Sequence, residues 1–219
     1  MGSTAKHHFA AAKTIVVAGA GMAGLSFVLA LRQRWPSSET PPTIIIYERD
    51  AEEGGVEREG YSLSIRSDGP SQGMHALQKL GLLEETLQIS ISGIQEGRGG
   101  FCLWDTNWAE LIKVQQRTPP GLPAASMRIA RYLLRRTLIE ALSPRDSVHW
   151  ATACTDVIAL PSGQVQVQLS NGQAQVCDFL IAADGANSKL CRAIQPDDNL
   201  HFARAVCIGG NARFPNDVP

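Results

Sequence analysis

The chain has 219 residues, 44% of them hydrophobic and 19% charged, which excludes a disordered segment and leaves enough apolar material for a core. Its 20 basic and 21 acidic residues give a net charge of −1, so no long-range field is available to hold nucleic acid or an anionic membrane. The five cysteines, Cys102, Cys154, Cys177, Cys191 and Cys207, form no CxxC pair. That argues against a disulfide framework or a zinc site and for a reducing, cytoplasmic setting.

Residues 1–12 read as a loose tail. Met1-Gly2 opens like a myristoylation signal but has Lys6 where Ser or Thr is needed. No secretory h-region and no run near the ~20 apolar residues of a membrane span is present. Lys13 to Ala18 carries Thr14, Ile15, Val16 and Val17, the continuous apolar character of a strand buried on both faces. A Gly-rich turn follows, then a helix from Met22 to Arg34, stopped by Trp35-Pro36. Thr43 to Tyr47 is a second buried strand. The three pieces make a β-α-β unit with two parallel strands.

Residues 51–61 form an acidic, Gly-rich loop, and Tyr61 to Ile65 a short strand. Gly73 to Leu83 reads as one helix with Met74, Leu77, Leu80 and Leu83 inward. Phe101–Leu103 and Leu111–Val114 read as antiparallel strands around Asp105-Thr106-Asn107. Ala130 to Leu142 is a helix with a leucine face, ended by Ser143-Pro144. Val148 to Leu160 and Val165 to Leu169 read as strands, and Asn171-Gly172 as a hairpin turn in which both residues tolerate positive φ. Phe179 to Ala182 is another apolar strand, ended by Ala183-Asp184-Gly185, with a short helix starting near Asn187. The fold class is therefore α/β: a Rossmann-like β-α-β core with an inserted antiparallel β layer.

Gly19-Ala20-Gly21-Met22-Ala23-Gly24 carries the sharpest chemistry. It lies between a strand and a helix, the context that gives GxGxxG its meaning. Gly19 allows the tight turn, Gly21 lets a pyrophosphate approach the backbone, and Gly24 lets the helix pack on the sheet. The helix N-terminus offers unpaired N–H groups and partial positive charge. Glu48 closes the second strand, where a carboxylate accepts hydrogen bonds from ribose hydroxyls.

With Tyr47-Glu48-Arg49, this loop resembles the FAD-binding opening of the flavin-dependent aromatic hydroxylases of the p-hydroxybenzoate hydroxylase type. Three later stretches resemble the same family: Gly60 to Arg66, Met127 to Leu133, and Asp178 to Arg192 with its Asp184-Gly185 pair. The resemblance implies an FAD-dependent monooxygenase using NAD(P)H and O2 on an aromatic or polyketide-like small molecule, in secondary metabolism. It implies that Gly19, Gly21 and Gly24 hold the pyrophosphate and Glu48 the adenosine ribose, with Arg49 along the adenine or ribose edge. Arg131 is implied at the phosphate or ribityl region, Asp184 and Gly185 near the pyrophosphate, and Arg66 on the flavin side. No catalytic residue follows from it, because the cofactor carries the hard chemistry.

The same residues have plainer readings. Arg128, Arg131 and Arg135 recur at i, i+3 and i+7, as on a solvated helix face. Asp184-Gly185 also suits a strand-ending turn with a helix cap. Trp104, Trp108 and Phe101 suit a substrate layer or ordinary packing. His75, His149 and His201 lack metal-ligand spacing, and no metal site is expected.

The resemblance also sets domain boundaries: residues 13–96 and 125–195 as a discontinuous FAD-binding domain, and 97–124 with 196–219 as part of a substrate-domain β layer. The family's remaining substrate sheet and its Gly-Asp motif have no counterpart here. The expectation is a shortened chain, a fragment or one piece of a split enzyme, with a homo-oligomer or a complementing carboxy-terminal chain as partner. Two alternatives stay open at this level. One is a relative without oxygenase activity, acting as a flavin-independent cyclase, isomerase or binding subunit. The other is an ordinary NAD-dependent dehydrogenase, against which the Arg131 and Asp184-Gly185 segments argue.

Overall fold

The computed structural model describes residues 8–52, 61–67, 70–90, 100–115, 117–197 and 201–204. Most of the acidic loop, the start of the amino-terminal tail and most of the final β-layer segment lie outside these residues.

Four parallel strands form the central sheet. In spatial order they are β11 (Phe179–Ala182), β1 (Thr14–Ala18), β2 (Thr43–Tyr47) and β7 (Ser147–His149). Val16 and Val17 have no exposed surface, as expected for a strand covered on both faces. Helix α1 (Met22–Arg34) crosses from β1 to β2 and buries Gly24, Leu25 and Val28. Truncating a leucine as enclosed as Leu25 costs about 2–5 kcal/mol. Trp35 takes φ −68° and ψ 129°, the extended conformation forced on a residue before proline, so the helix stops there.

At the amino-terminal edge of this sheet Arg32 donates to both carboxylate oxygens of Asp146 and to the carbonyl of Pro42. The Asp146 side chain is fully enclosed. This contact ties α1 to the starts of β2 and β7. A shallow depression lined by Arg32, Trp35, Glu39 and Arg145 lies beside it.

A meander of β8 (Cys154–Ala159), β9 (Val165–Leu169) and β10 (Ala174–Cys177) covers one flank. It packs with β1 and β2 around Val16, Ala18, Tyr47, Val167, Leu169 and Leu190. The other core collects Leu25, Val28, Ile44 and Ile46 with Met74, Met127, Ile129, Leu134 and Leu138. Antiparallel β3 (Ser62–Arg66) and β6 (Ser126–Ala130) close this side, followed by α4 (Arg131–Glu140).

Several expectations are corrected. Residues 73–83 are not one helix. α2 (Gly73–Lys79) ends before Gly81, whose φ is +75°, and α3 (Leu83–Gln88) starts anew. A left-handed glycine just past the last turn is a helix stop. Strand β6 was not expected. Its Met127 and Ile129 point inward while Arg128 points out, a period of two that the leucine-rich helix behind it masks. Residues 148–160 are two strands in different sheets, separated by a turn in which Ala151 has φ +52°. In the hairpin turn only Gly172 has positive φ, +84°. Asn171 instead accepts a hydrogen bond from the Gln173 amide, at 3.0 Å. The last helix among the described residues, α5 (Lys189–Ile194), is capped by Ser188, whose hydroxyl accepts from the Cys191 amide at 2.8 Å.

Strands β4 (Gly100–Trp104) and β5 (Glu110–Gln115) pair antiparallel around the expected turn. Leu103, Trp104, Trp108, Leu111, Ile112 and Val114 are all exposed. Trp104 and Trp108 therefore do not contribute to the core. Among the described residues no helix is long and apolar enough to cross a membrane.

Candidate functional site

The site lies at the carboxyl edge of the parallel sheet, where open α/β sheets bind ligands. β1 sits between β2 and β11. The turn leaving β1 therefore has Glu48, just past β2, on one side and Asp184, just past β11, on the other.

Gly19 has φ +105°, and a Cβ there would collide with the Ala183 carbonyl. Its amide donates to the Tyr47 carbonyl at 2.7 Å. A Cβ on Gly24 would drive into the Gly19 carbonyl. These two glycines let bend, helix and sheet close on one another. Gly21 differs: a Cβ there would meet nothing within 4 Å. Among the described residues, none fills the space it faces. Gly21 is also the N-cap of α1. It supplies no capping side chain, and the first turn holds no acidic residue, so the N–H groups there lack intrahelical partners and meet no carboxylate from their own turn.

Glu48 is buried. Its Oε2 accepts from the Ala20 amide at 2.8 Å and pairs with Arg135 Nη2 at 3.3 Å, and its Oε1 accepts from the Asp50 amide at 3.0 Å. The guanidinium of Arg135 also donates to the Ala20 carbonyl at 2.8 Å and lies over the Trp150 ring, 5.3 Å from its centroid. Arg135 is 7% exposed, so it is not part of a solvated face. The carboxylate expected at a ribose is thus also a brace of the glycine bend.

Asp184 accepts from the Lys189 amide at 3.2 Å through Oδ2, which orients the start of α5. Its Oδ1 is buried and has no hydrogen-bond partner among the described residues. A buried carboxylate oxygen without a donor is costly, and such an atom is completed by a ligand or water. The neighbouring thiol of Cys154 is pushed up to about 12, first by burial and then by the Asp184 charge and Cys177. This keeps it a neutral thiol within the core around Val16 and Tyr47. Gly185 has φ +93° with open space at its Cβ position.

The arginines separate. Arg131 opens α4, one helical turn before Arg135 and on the same face. Its guanidinium lies over Tyr61, 5.7 Å from the ring centroid. Arg66 pairs in register with Ser126, whereas Ser62 pairs with Ala130 beside Arg131. Arg66 is therefore at the opposite end of that ladder, four strand steps or roughly 13 Å away. Arg49 is exposed and pairs with Asp50 at 3.6 Å. The structure thus brings Gly19, Gly21, Gly24, Glu48, Asp184 and Gly185 to one edge, sets Arg131 on the face of α4 that reaches it, and leaves Arg49 and Arg66 outward.

Sequence reasoning missed Arg135 as part of the site. Its signal was the four-residue spacing from Arg131, which puts both on one helix face. Among the described residues no three potential metal ligands cluster.

The residues present fit a dinucleotide such as FAD. The open cradle at Gly21 and the uncapped α1 N-terminus suit a diphosphate, and the unpartnered Asp184 oxygen suits a donor such as a hydroxyl.

No known family model matches the chain. It is 35% identical over 218 residues to monooxygenase cfoF of Aspergillus candidus, covering 96% of this chain and 52% of that protein. It is 28% identical over 209 residues to the FAD-dependent monooxygenase tazP of Aspergillus terreus, covering 89% of this chain and 48% of the relative. The chain thus spans about half the length of these two relatives. Among solved structures, a putative FAD-containing monooxygenase from Photorhabdus luminescens superposes with a TM-score of 0.63 at 20% identity, over 84% of this chain and 43% of that one. Tetrameric 2-methyl-3-hydroxypyridine-5-carboxylic acid oxygenase does so with a TM-score of 0.62 at 21% identity, over 84% and 42%. The resemblance carried by the motifs is borne out: relatives covering this chain are monooxygenases, tazP an FAD-dependent one, and its fold is the Rossmann-like α/β fold of solved FAD-containing monooxygenases.

Proposed function

We propose that this chain forms the FAD-binding part of a flavin-dependent monooxygenase. The observation that carries the reading is the Gly21 cradle. It is an uncapped helix start with open space where a side chain would stand, sharing one sheet edge with Glu48 and with the unpartnered oxygen of Asp184.

In this reading Gly19 and Gly24 set the bend, and the N–H groups following Gly21 hold the pyrophosphate. Glu48 keeps one lone pair of Oε1 for an adenosine ribose hydroxyl. Asp184 accepts from the ligand beside the diphosphate, and Gly185 gives the backbone its close approach. Arg131 adds positive charge at the phosphate or ribityl region. Arg49 and Arg66 flank the adenosine and flavin ends and must turn inward to touch them. FAD, when bound, supplies the redox and oxygen chemistry. The protein's own share is to hold it and orient it.

The finer reading takes NAD(P)H as co-substrate and an aromatic or polyketide-like molecule as the compound oxidised, in secondary metabolism in the cytoplasm. Residues 13–96 and 125–195 form the FAD-binding domain. The outlying β4–β5 hairpin, within 97–124, belongs with 196–219 to a substrate-facing layer, completed in a homo-oligomer or by a complementing carboxy-terminal chain.

The test is a flavin titration of the purified chain followed by its visible spectrum. Stoichiometric uptake of FAD, with NAD(P)H consumption stimulated by electron-rich aromatic compounds, is the expected result. A chain that takes up no flavin at any concentration overturns the reading.

A further inference from the structure

Ala20 lies between two glycines, the residue type with the widest backbone freedom, and its own backbone polar groups are both held by side chains. Its amide donates to Glu48 Oε2 at 2.8 Å, and its carbonyl accepts from Arg135 Nε at 2.8 Å. Arg135 is 115 residues further along the chain. The two holding groups are themselves paired, Arg135 Nη2 to Glu48 Oε2 at 3.3 Å.

The geometry has a directional consequence. The Ala20 carbonyl and the Gly21 amide belong to one planar trans peptide, so the C=O and the N–H point in opposite directions. Fixing the carbonyl on Arg135 aims the Gly21 N–H away from Arg135. Among the described residues the Gly21 N–H has no protein acceptor that would fix it from the other side. We propose that Arg135 is a positioning residue for dinucleotide binding: through the Ala20 peptide it fixes the orientation of the Gly21 amide before a ligand arrives. The proposal rests on the FAD reading above for the identity of the ligand. The hold on the bend stands apart from it.

A guanidinium is suited to this task. Its planar fork donates to a carbonyl and a carboxylate at once, and its face rests on Trp150, 5.3 Å away. A lysine keeps the charge beside Glu48 but has no rigid fork. Arg135→Lys therefore separates charge balance from peptide orientation. Removing the charge outright would leave Glu48 buried and unpaired, which is strongly destabilising. The second variant is accordingly the double change Arg135→Gln with Glu48→Gln, compared with Glu48→Gln alone.

Two measurements decide. In the ligand-free protein, hydrogen exchange at the Ala20 amide is followed against amides of β9 as a control. The FAD dissociation constant is then measured by quenching of flavin fluorescence. The expected result for Arg135→Lys is faster exchange at Ala20 with β9 unchanged, and FAD binding weakened at least about tenfold, or about 1.4 kcal/mol. The double variant is expected to bind FAD more weakly than Glu48→Gln alone. Wild-type exchange at Ala20 in Arg135→Lys, with FAD affinity within about twofold of wild type, overturns the proposal. Loss of protection throughout the chain assigns Arg135 a purely structural role and overturns it equally. A wild-type chain that takes up no FAD counts against the flavin reading, while the exchange comparison still decides whether Arg135 holds the bend.

Discussion

Gly24 lies directly beneath the carbonyl of Gly19, so close that a Cβ on Gly24 would overlap that oxygen and also stand 3.1 Å from Val17 Cγ1. In most helix interiors Gly→Ala stabilises by about 1 kcal/mol, through helix propensity. Here the sign reverses. The Gly19 carbonyl is main chain, and the Gly19 amide is tied to the Tyr47 carbonyl of β2 at 2.7 Å, so the oxygen has little room to swing away. Overpacking of this kind costs about 1–3 kcal/mol or more, which outweighs the propensity gain. Gly24→Ala is expected to lower the melting temperature by about 2–6 °C, read by thermal denaturation without ligand. A rise would contradict the close approach.

Asp184 carries an internal contrast. Its Oδ2 caps toward Lys189, while Oδ1 is enclosed without a partner. An unsatisfied buried oxygen stabilises nothing in the ligand-free protein. Asp184→Asn is therefore expected to leave the ligand-free melting temperature unchanged or raised, and to weaken FAD binding about tenfold by altering the acceptor offered to the ligand. Equal FAD affinity in the two proteins would place Asp184 outside the site.

Asp178 gives a pH signature away from the site. Its carboxylate accepts from the Thr14 amide at 2.9 Å and from Lys13 at 3.3 Å, tying β1 to β11. These contacts hold its pKa below the ordinary 3.8: the Thr14 amide lowers it most, burial opposes that, and the Lys13 and Gln164 contacts lower it further. A carboxyl with a lowered folded value adds stability at pH above its unfolded value and loses it as pH falls through the folded one. The melting temperature of wild type is expected to exceed that of Asp178→Asn at neutral pH, and the gap to close as pH falls below 3.8. A gap independent of pH would contradict this assignment.

The cofactor end of the fold was legible because its physics is local. Val16 and Val17 are enclosed on both faces, so β1 reads as a continuous apolar run. The glycine spacing follows from one turn that must close on Ala183 and on the helix. Glu48 and Asp184 were legible because each immediately follows a short apolar strand. The rest depended on contacts distant in sequence. β6 is only five residues long and runs directly into a leucine-rich helix, so its alternation merged with the helical pattern. Gly81 marked the break between α2 and α3, but the leucines around it keep helical spacing across the break. Arg135 reads as a surface charge until β1, β2 and α4 converge. Only then do the Ala20 carbonyl and Glu48 supply the partners that let an arginine be buried.

The central claim is that the space in front of Gly21 belongs to a dinucleotide, and one pair of titrations tests it most directly. Gly21 has φ −84° and ψ −179°, a conformation open to any residue, and nothing within 4 Å opposes a side chain there. Gly21→Val should thus fold and melt like wild type. FAD is titrated into both proteins and followed by flavin fluorescence. The account predicts binding to wild type and a loss of at least about a hundredfold, or about 2.7 kcal/mol, in Gly21→Val with the melting temperature unchanged. Equal FAD affinity in the two proteins would contradict it.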